Sequence, residues 1–313
     1  MSGSGPIVVS EPVRDALAGG RPVVALETSV LAQGLPAPHN LDASVGMATA
    51  IRDQGAEPAW VWVDGGAVRI GATEDELGRL STSAVVAKIA RRDLPMAVAS
   101  GGLGATTVSA TLWAAHMAGI DVMATGGIGG VHWGTGDVSA DLLEMARTPG
   151  TVVCSGPKSI VDPAATLERL EELGIGVVGY RCARLPFFVV RESDLDLEHR
   201  AESPEDVAAA VRARAALGIE STLLICNPIP AADALPADEV AAAVRDCEAL
   251  AERQGVTGKS VTPFLLSCVA ERTGGASIRA NLSLLRANAA LAAEIATALT
   301  RSGPEPKRRV AGS

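Results

Sequence analysis

Only four of the 27 basic residues in this 313-residue chain are lysines: Lys88, Lys158, Lys259 and Lys307. Codon preference in a high-GC genome accounts for the excess of arginine, but an amine can do what a guanidinium cannot. It can lose its proton. Lys88 in VVAKIARRDLP and Lys158 in VVCSGPKSIVD each sit just beyond an apolar, strand-like run. Loss of hydration there lowers the pKa of an ammonium. One such amine could form a Schiff base with a sugar aldehyde while another serves as a point charge for phosphate. A solvated surface lysine is the plain alternative for either position.

Glu27 is the only charge in VVALETSVLA. A lone carboxylate in a central strand is costly unless it is paired or functional, and a raised pKa there suits a general acid. A strand end at the surface explains it equally well. In GDVSADLLEMA, Asp137, Asp141 and Glu144 lie near a predicted helix start. Asp137 reads either as the N-cap or as a ligand for a hydrated Mn²⁺ or Mg²⁺. Histidines 39, 116, 132 and 199 have no zinc spacing, and His116 reads as a packed helix residue.

Two glycine clusters, ASGGLGATT (99–107) and ATGGIGGVHWG (124–134), each follow a predicted strand. Backbone N–H groups at such a turn can cradle an anion. Tight packing explains either cluster alone, whereas both together at strand ends favour an anion site. Gly102, Gly104 and Thr107 occupy the three positions of a dinucleotide fingerprint and the last glycine is missing; no Walker A motif occurs. A nicotinamide enzyme or a P-loop NTPase is disfavoured.

The elements that must position these groups alternate between strand-length apolar runs and helix-period segments, the pattern of a layered α/β fold. Strands are predicted over 23–30, 59–63, 67–70, 96–99, 121–124, 151–154, 177–180, 187–190 and 222–226. Helices are predicted over 40–54, 74–80, 105–117, 139–147, 164–173, 204–217 and 238–254, with 262–272 and 278–299 closing a wholly helical last third. No linker or repeat divides the chain, so residues 7–300 read as one domain. Residues 1–6 and 301–313 read as disordered tails.

With 48% hydrophobic and 20% charged residues, the chain is not of the disordered class. A net charge of −9 disfavours a nucleic-acid binder, and no signal peptide or membrane-spanning run is evident. Cys154, Cys182, Cys226, Cys247 and Cys268 read as small buried hydrophobes of a cytoplasmic protein rather than as a disulfide framework or zinc site.

Taken in order, ALETSVLAQGLPAPHN, KIARRDLP, GGLGATTVSAT, ATGGIGGVHWG, DVSADLLEMARTP, VVCSGPKSI, CNPIP, GKSVTPFLL and ANLSLLRANAALAAEIA resemble the pseudouridine-5'-phosphate glycosidase family, also called indigoidine synthase A-like, over about residues 20 to 300. The resemblance implies a three-layer α/β/α fold with a mostly parallel or mixed sheet, a homotrimer and a divalent cation, commonly Mn²⁺. It also implies reversible cleavage of the C–C glycosidic bond between ribose 5-phosphate and uracil. Lys158 would form the imine and Glu27 would donate the proton. Lys88, Val108, Ser139, Asp141 and Asn281 would bind substrate, with Thr125 and His132 beside them, and Asp137 would hold the metal.

The chain departs from the family pattern at Gln33, at Pro36-Ala37-Pro38, at Trp133 and in YRCARLPFFVVR. Only four residues separate His132 from Asp137. The shortened loop is either neutral or reshapes the pocket for another aglycone. A C-glycosynthase joining ribose 5-phosphate to a different aromatic aglycone is therefore the second expectation. A non-catalytic sugar-phosphate-binding protein is the third.

Overall fold

The computed structural model describes residues 5–83, 85–134 and 136–301. Most of both expected tails lies outside them. Among the described residues eleven strands form one mixed sheet. In chain order these are β1 (Ile7–Val9), β2 (Val23–Glu27), β3 (Glu57–Asp64), β4 (Ala67–Ile70), β5 (Ala87–Ile89), β6 (Gly104–Thr106), β7 (Val122–Ala124), β8 (Thr151–Cys154), β9 (Gly176–Tyr180), β10 (His199–Ala201) and β11 (Leu223–Cys226). The main path runs β1, β4, β3, β2, β7, β8, β11, β9, β10, while β6 branches from β3 and carries β5. β3 pairs antiparallel with β4 and β6, and the other pairings are parallel.

Strand alternation divides the core into two layers. Val24 and Leu26 of β2 join one apolar cluster; Val23 and Ala25 join the other. The first layer is covered by α2 (His39–Asp53), α3 (Glu74–Thr82), α8 (Pro204–Leu217), α9 (Ala237–Arg253), α10 (Val261–Arg272) and α11 (Ala276–Thr300). The second is covered by α1 (Glu11–Ala18), α4 (Leu94–Ser100), α5 (Val108–Met117), α6 (Ala140–Met145) and α7 (Pro163–Glu172). The expected three-layer α/β/α arrangement is present. Because both faces of β2 are covered, its sequence reads as an unbroken apolar run.

Several segments differ from expectation. Residues 96–99 lie in helix α4, with Pro95 in its first turn and Gly101 in the left-handed conformation at its end. Proline at the start and glycine after the end outweigh the apolar run between them. The first glycine cluster therefore follows a helix. Residues 187–190 form a tight turn in which Phe187 and Val190 exchange backbone hydrogen bonds of 3.1 and 3.0 Å. Strand β2 stops at Glu27, and a wide π-type turn occupies Val30–Gly34. His116 is exposed rather than packed. Cys247 of α9 and Cys268 of α10 form a disulfide, whereas Cys154, Cys182 and Cys226 are free and buried as expected. Consecutive helices folded into a hairpin bring together cysteines 21 residues apart.

Helix α11 is apolar and long enough to cross a membrane, but Leu284, Leu285, Ala289, Ala292 and Ala293 bury it in the core. In its middle sits one fully buried carboxamide, Asn288. Its Nδ2 donates to the Thr125 carbonyl at 2.9 Å and approaches Ser155 Oγ at 3.1 Å; its Oδ1 accepts from Asn227 Nδ2 at 3.0 Å. Those partners follow β7, β8 and β11 respectively. Replacing Asn288 with Leu leaves buried polar groups of three loops without partners, and we expect a loss of about 3 kcal/mol in stability, measured by chemical denaturation.

Candidate active site

Parallel strands β2, β7 and β8 finish side by side, and a cavity of about 310 Å³ opens beyond their C-terminal ends. Such an edge gathers loops and helix N-termini that can meet a ligand. Glu27 closes β2, Thr125 follows β7, and Lys158 lies in the loop after β8. The ten residues to which the family resemblance gives a role all line this one cavity: Glu27, Lys88, Val108, Thr125, His132, Asp137, Ser139, Asp141, Lys158 and Asn281.

Glu27 is only 4% exposed, so its place at a strand end does not put it in water. The hydroxyls of Ser29 and Thr125 donate to its two oxygens, which offsets the cost of burial and fixes the group. Lys88 lies within β5 itself, not beyond a strand. Burial lowers its pKa most, the like charge of Lys158 lowers it further, and Asp141 and Glu27 act in the opposite direction. The loop carrying Lys158 is pinned by its own N–H, which donates to Ile128 O at 3.0 Å, and by Val161 N–H, which donates to the Lys158 carbonyl at 3.1 Å.

The acidic trio separates. Ser139, not Asp137, caps α6, accepting from the Asp141 N–H at 3.2 Å. Asp141 is buried and accepts from Ser109 N–H at 3.1 Å and Gly129 N–H at 3.0 Å. It thereby joins the first turn of α5 to the second glycine cluster. Glu144 lies outside the cavity lining, bound to Arg91 at 2.8 Å and to the Thr148 hydroxyl at 2.5 Å. Asp137 stays exposed at the cavity edge, its carbonyl accepting from His132 N–H at 2.8 Å. Burial lowers the His132 pKa, the Asp137 charge opposes that, and the imidazole is neutral at neutral pH.

Close packing accounts for much of the second glycine cluster. A Cβ on Gly129 would strike the Ser139 side chain. In the Lys158 loop, Gly156 has φ of +77° and lies against the Pro186 carbonyl, where no side chain fits. Sequence reading missed Ser29, Arg92 and Asp93, which also line the cavity. Lys259 lines it too, although no role was assigned to it from the sequence. Gln33 donates to the Val86 carbonyl at 3.1 Å while its own Oε1 is buried without a partner among the described residues. The signal for Ser29 was its position two residues from the lone strand carboxylate.

The sequence profile described as indigoidine synthase A like protein matches residues 12–298. The chain is 49% identical over 299 residues to a pseudouridine-5'-phosphate glycosidase of Methylobacterium nodulans, covering 94% of this chain and 89% of that one. It is 45% identical to the protein of the same name from Escherichia coli, covering 92% and 94%. Among solved structures it is similar to the prealnumycin C-glycosynthase AlnA in complex with ribulose 5-phosphate, with a TM-score of 0.88, 37% identity and coverage of 96% and 99%. An indigoidine synthase A-like protein of Thermotoga maritima matches with a TM-score of 0.88 at 36% identity, again covering 96% and 99%.

The charge arrangement predicts that Lys88 titrates below the ordinary lysine range. Removing the like charge with Lys158→Met raises its pKa, and removing an opposite charge with Asp141→Asn lowers it further. Nuclear magnetic resonance of the labelled lysine side chains measures both shifts. A Lys88 signal indifferent to both substitutions contradicts the arrangement.

Proposed function

The chain belongs to the indigoidine synthase A-like family, and on that premise we propose that it is a C-glycosidase that splits pseudouridine 5'-phosphate reversibly into ribose 5-phosphate and uracil. One observation carries the reading: an amine, a second amine and a buried carboxylate, separated by 61 and 70 residues in the chain, converge in one cavity with the other groups that the resemblance names. A C-glycoside has no heteroatom to leave on, so the sugar needs an electron sink and the base carbon needs a proton. Lys158 supplies the first and Glu27 the second.

The Lys158 amine first replaces the ring oxygen at the anomeric carbon: the C–O bond breaks, the oxygen takes up a proton as a hydroxyl and the nitrogen gives one up as the new C–N bond forms, after which Glu27 protonates the base carbon. The nitrogen lone pair then moves into a C=N bond as the C–C bond breaks, and the electrons of that bond restore the base ring. Water hydrolyses the imine, releasing ribose 5-phosphate and the free amine. By convention such an enzyme is grouped with the lyases. Lys88 holds the phosphate as a point charge, with the first turn of α5 at Val108 and the Ser139 hydroxyl nearby. Thr125 orients Glu27, His132 donates to the phosphate, and Asn281 of α11 faces the base.

Among the described residues no cluster of three metal-ligating side chains occurs. That donor set fits a hydrated Mn²⁺ or similar hard cation, which keeps most of its waters and needs one carboxylate together with substrate phosphate. Asp137 would hold it, and its charge would steady the phosphate. A homotrimer and a cytoplasmic location complete the proposal. With Cys247 and Cys268 bonded, cysteine usage no longer supports that location; the charged phosphate of the substrate, which does not cross a membrane unaided, does.

A second reading keeps the mechanism and runs it toward synthesis with a larger aromatic aglycone. It is favoured by a second cavity of about 490 Å³ that shares Gln33, Ile160, Phe188 and Asn281 with the first, and by Trp133, 45% exposed on the shortened loop.

Incubation with pseudouridine 5'-phosphate and Mn²⁺ is expected to release uracil, and borohydride with ribose 5-phosphate to reduce an imine onto Lys158. Glu27→Gln is expected to lower kcat by about 10² to 10⁴-fold without loss of the trapped adduct. An adduct at another lysine, or none, contradicts the mechanism. Formation of a C-glycoside only with a larger aromatic acceptor selects the second reading.

A further inference from the structure

Of the lysines in the described residues, Lys259 is the one the mechanism leaves unused. It lies in the connection between α9 and α10, on a short helical turn over Gly258–Ser260. Its Nζ donates to Asp93 Oδ2 at 2.8 Å and to the backbone carbonyl of Lys88 at 3.1 Å. The two acceptors, which line the same cavity, are reached across 166 and 171 residues of chain.

The Asp93 end of this contact is rigid. Asp93 Oδ2 also accepts from Ala90 N–H at 2.9 Å, closing the turn that follows β5. The next residue, Arg91, is held by Ser109 Oγ at 3.2 Å and by Glu144 at 2.8 Å. Burial works to raise the Asp93 carboxyl, but hydrogen bonds from Lys259 and from Ala90 N–H outweigh it and keep the group ionised. The Lys259 end belongs to a helical hairpin. The Cys247–Cys268 disulfide ties α9 to α10, the two helices that flank the connection. Thr262, Pro263 and Leu266 of α10 line the cavity from above this connection. Half of the Lys259 side chain remains in solvent, which places the contact at the rim.

We propose that Lys259 is a positioning residue, a latch that draws the α9–α10 connection onto Asp93 and the Lys88 carbonyl, closes the rim of the sugar-phosphate site and holds Lys88 in place. The proposal rests on the sugar-phosphate reading above. Substrate enters and product leaves when the ion pair opens. Lys259 acts through the backbone of Lys88 and through closure, without touching the reacting atoms.

Three variants test it: Lys259→Met, Asp93→Asn and Lys259→Arg. Hydrogen exchange of residues 255–266 in the free protein is expected to quicken in the first two and to stay near wild type in the third. In turnover of pseudouridine 5'-phosphate the first two are expected to raise KM about fivefold, the modest size expected of a half-exposed pair, with a smaller change in kcat. The Lys259→Met and Asp93→Asn effects are expected not to add, because both break one contact. If Lys259→Met raises KM while Asp93→Asn changes neither KM nor exchange, Lys259 binds phosphate directly and the latch is overturned. Unchanged exchange in both variants overturns it as well. Absence of turnover by the unmodified protein counts against the sugar-phosphate reading, while the exchange measurement still decides the latch.

Discussion

The site depends on one buried carboxamide. Asn288 reaches from the middle of α11 to the Thr125 carbonyl, the Ser155 hydroxyl and the Asn227 amide, and so joins the loops that follow β7, β8 and β11. The first N–H groups beyond the strands still pair between neighbours, Thr125 with the Val153 carbonyl, Ser155 with the Gly126 carbonyl and Asn227 with the Cys154 carbonyl, while the Thr125 carbonyl turns to Asn288. A helix covering their ends with apolar side chains alone would leave the Thr125 carbonyl, the Ser155 hydroxyl and the Asn227 amide short of this partner. The carboxamide has both donors and an acceptor, and satisfies several loops from one point. Thr125 then holds Glu27, and Ser155 lies three residues before Lys158. Glu27 and the loop that carries Lys158 therefore take their positions from the same support.

The second constraint is electrostatic. Asp141 fills with a protein carboxylate the place that a helix start and a glycine turn offer to an anion, bonding to N–H groups of Ser109 and Gly129. The glycine clusters thus serve packing as well as binding. The missing side chain of Gly129 lets the turn lie against Ser139 and Asp141. Lys88 and Lys158 face the carboxylates across the cavity, and the opposed charges partly cancel the mutual repulsion of the two amines.

Much of this was legible in the sequence because it rests on local pattern. Glu27 stood out as a lone charge in an apolar strand, and Lys88 and Lys158 as amines beside strand-like runs. Helix α8, with Pro204 in its first turn and Gly218 at its end, matched its predicted range of 204–217. What was not legible depends on tertiary contact. The three-residue strands β5 and β6 hold too few residues to show a period, and they exist because β3 offers a free edge. The segment 96–99 has the composition of a strand and the punctuation of a helix. Cys247 and Cys268 reveal their pairing only once α9 and α10 fold against each other. Asn281 and Asn288, seven residues apart on one apolar helix face, carried a signal that spacing alone could have exposed.

Placing the supporting amide in the last helix bears on the timing of synthesis. A ribosome that has made Glu27, Lys88 and Lys158 has still to make some 130 residues before Asn288 emerges. Until then the loops after β7, β8 and β11 have the backbone hydrogen bonds between them but not the carboxamide that pairs with the Thr125 carbonyl and the Ser155 hydroxyl. A nascent chain therefore carries Lys158 long before it carries the carboxamide that braces the loop around it.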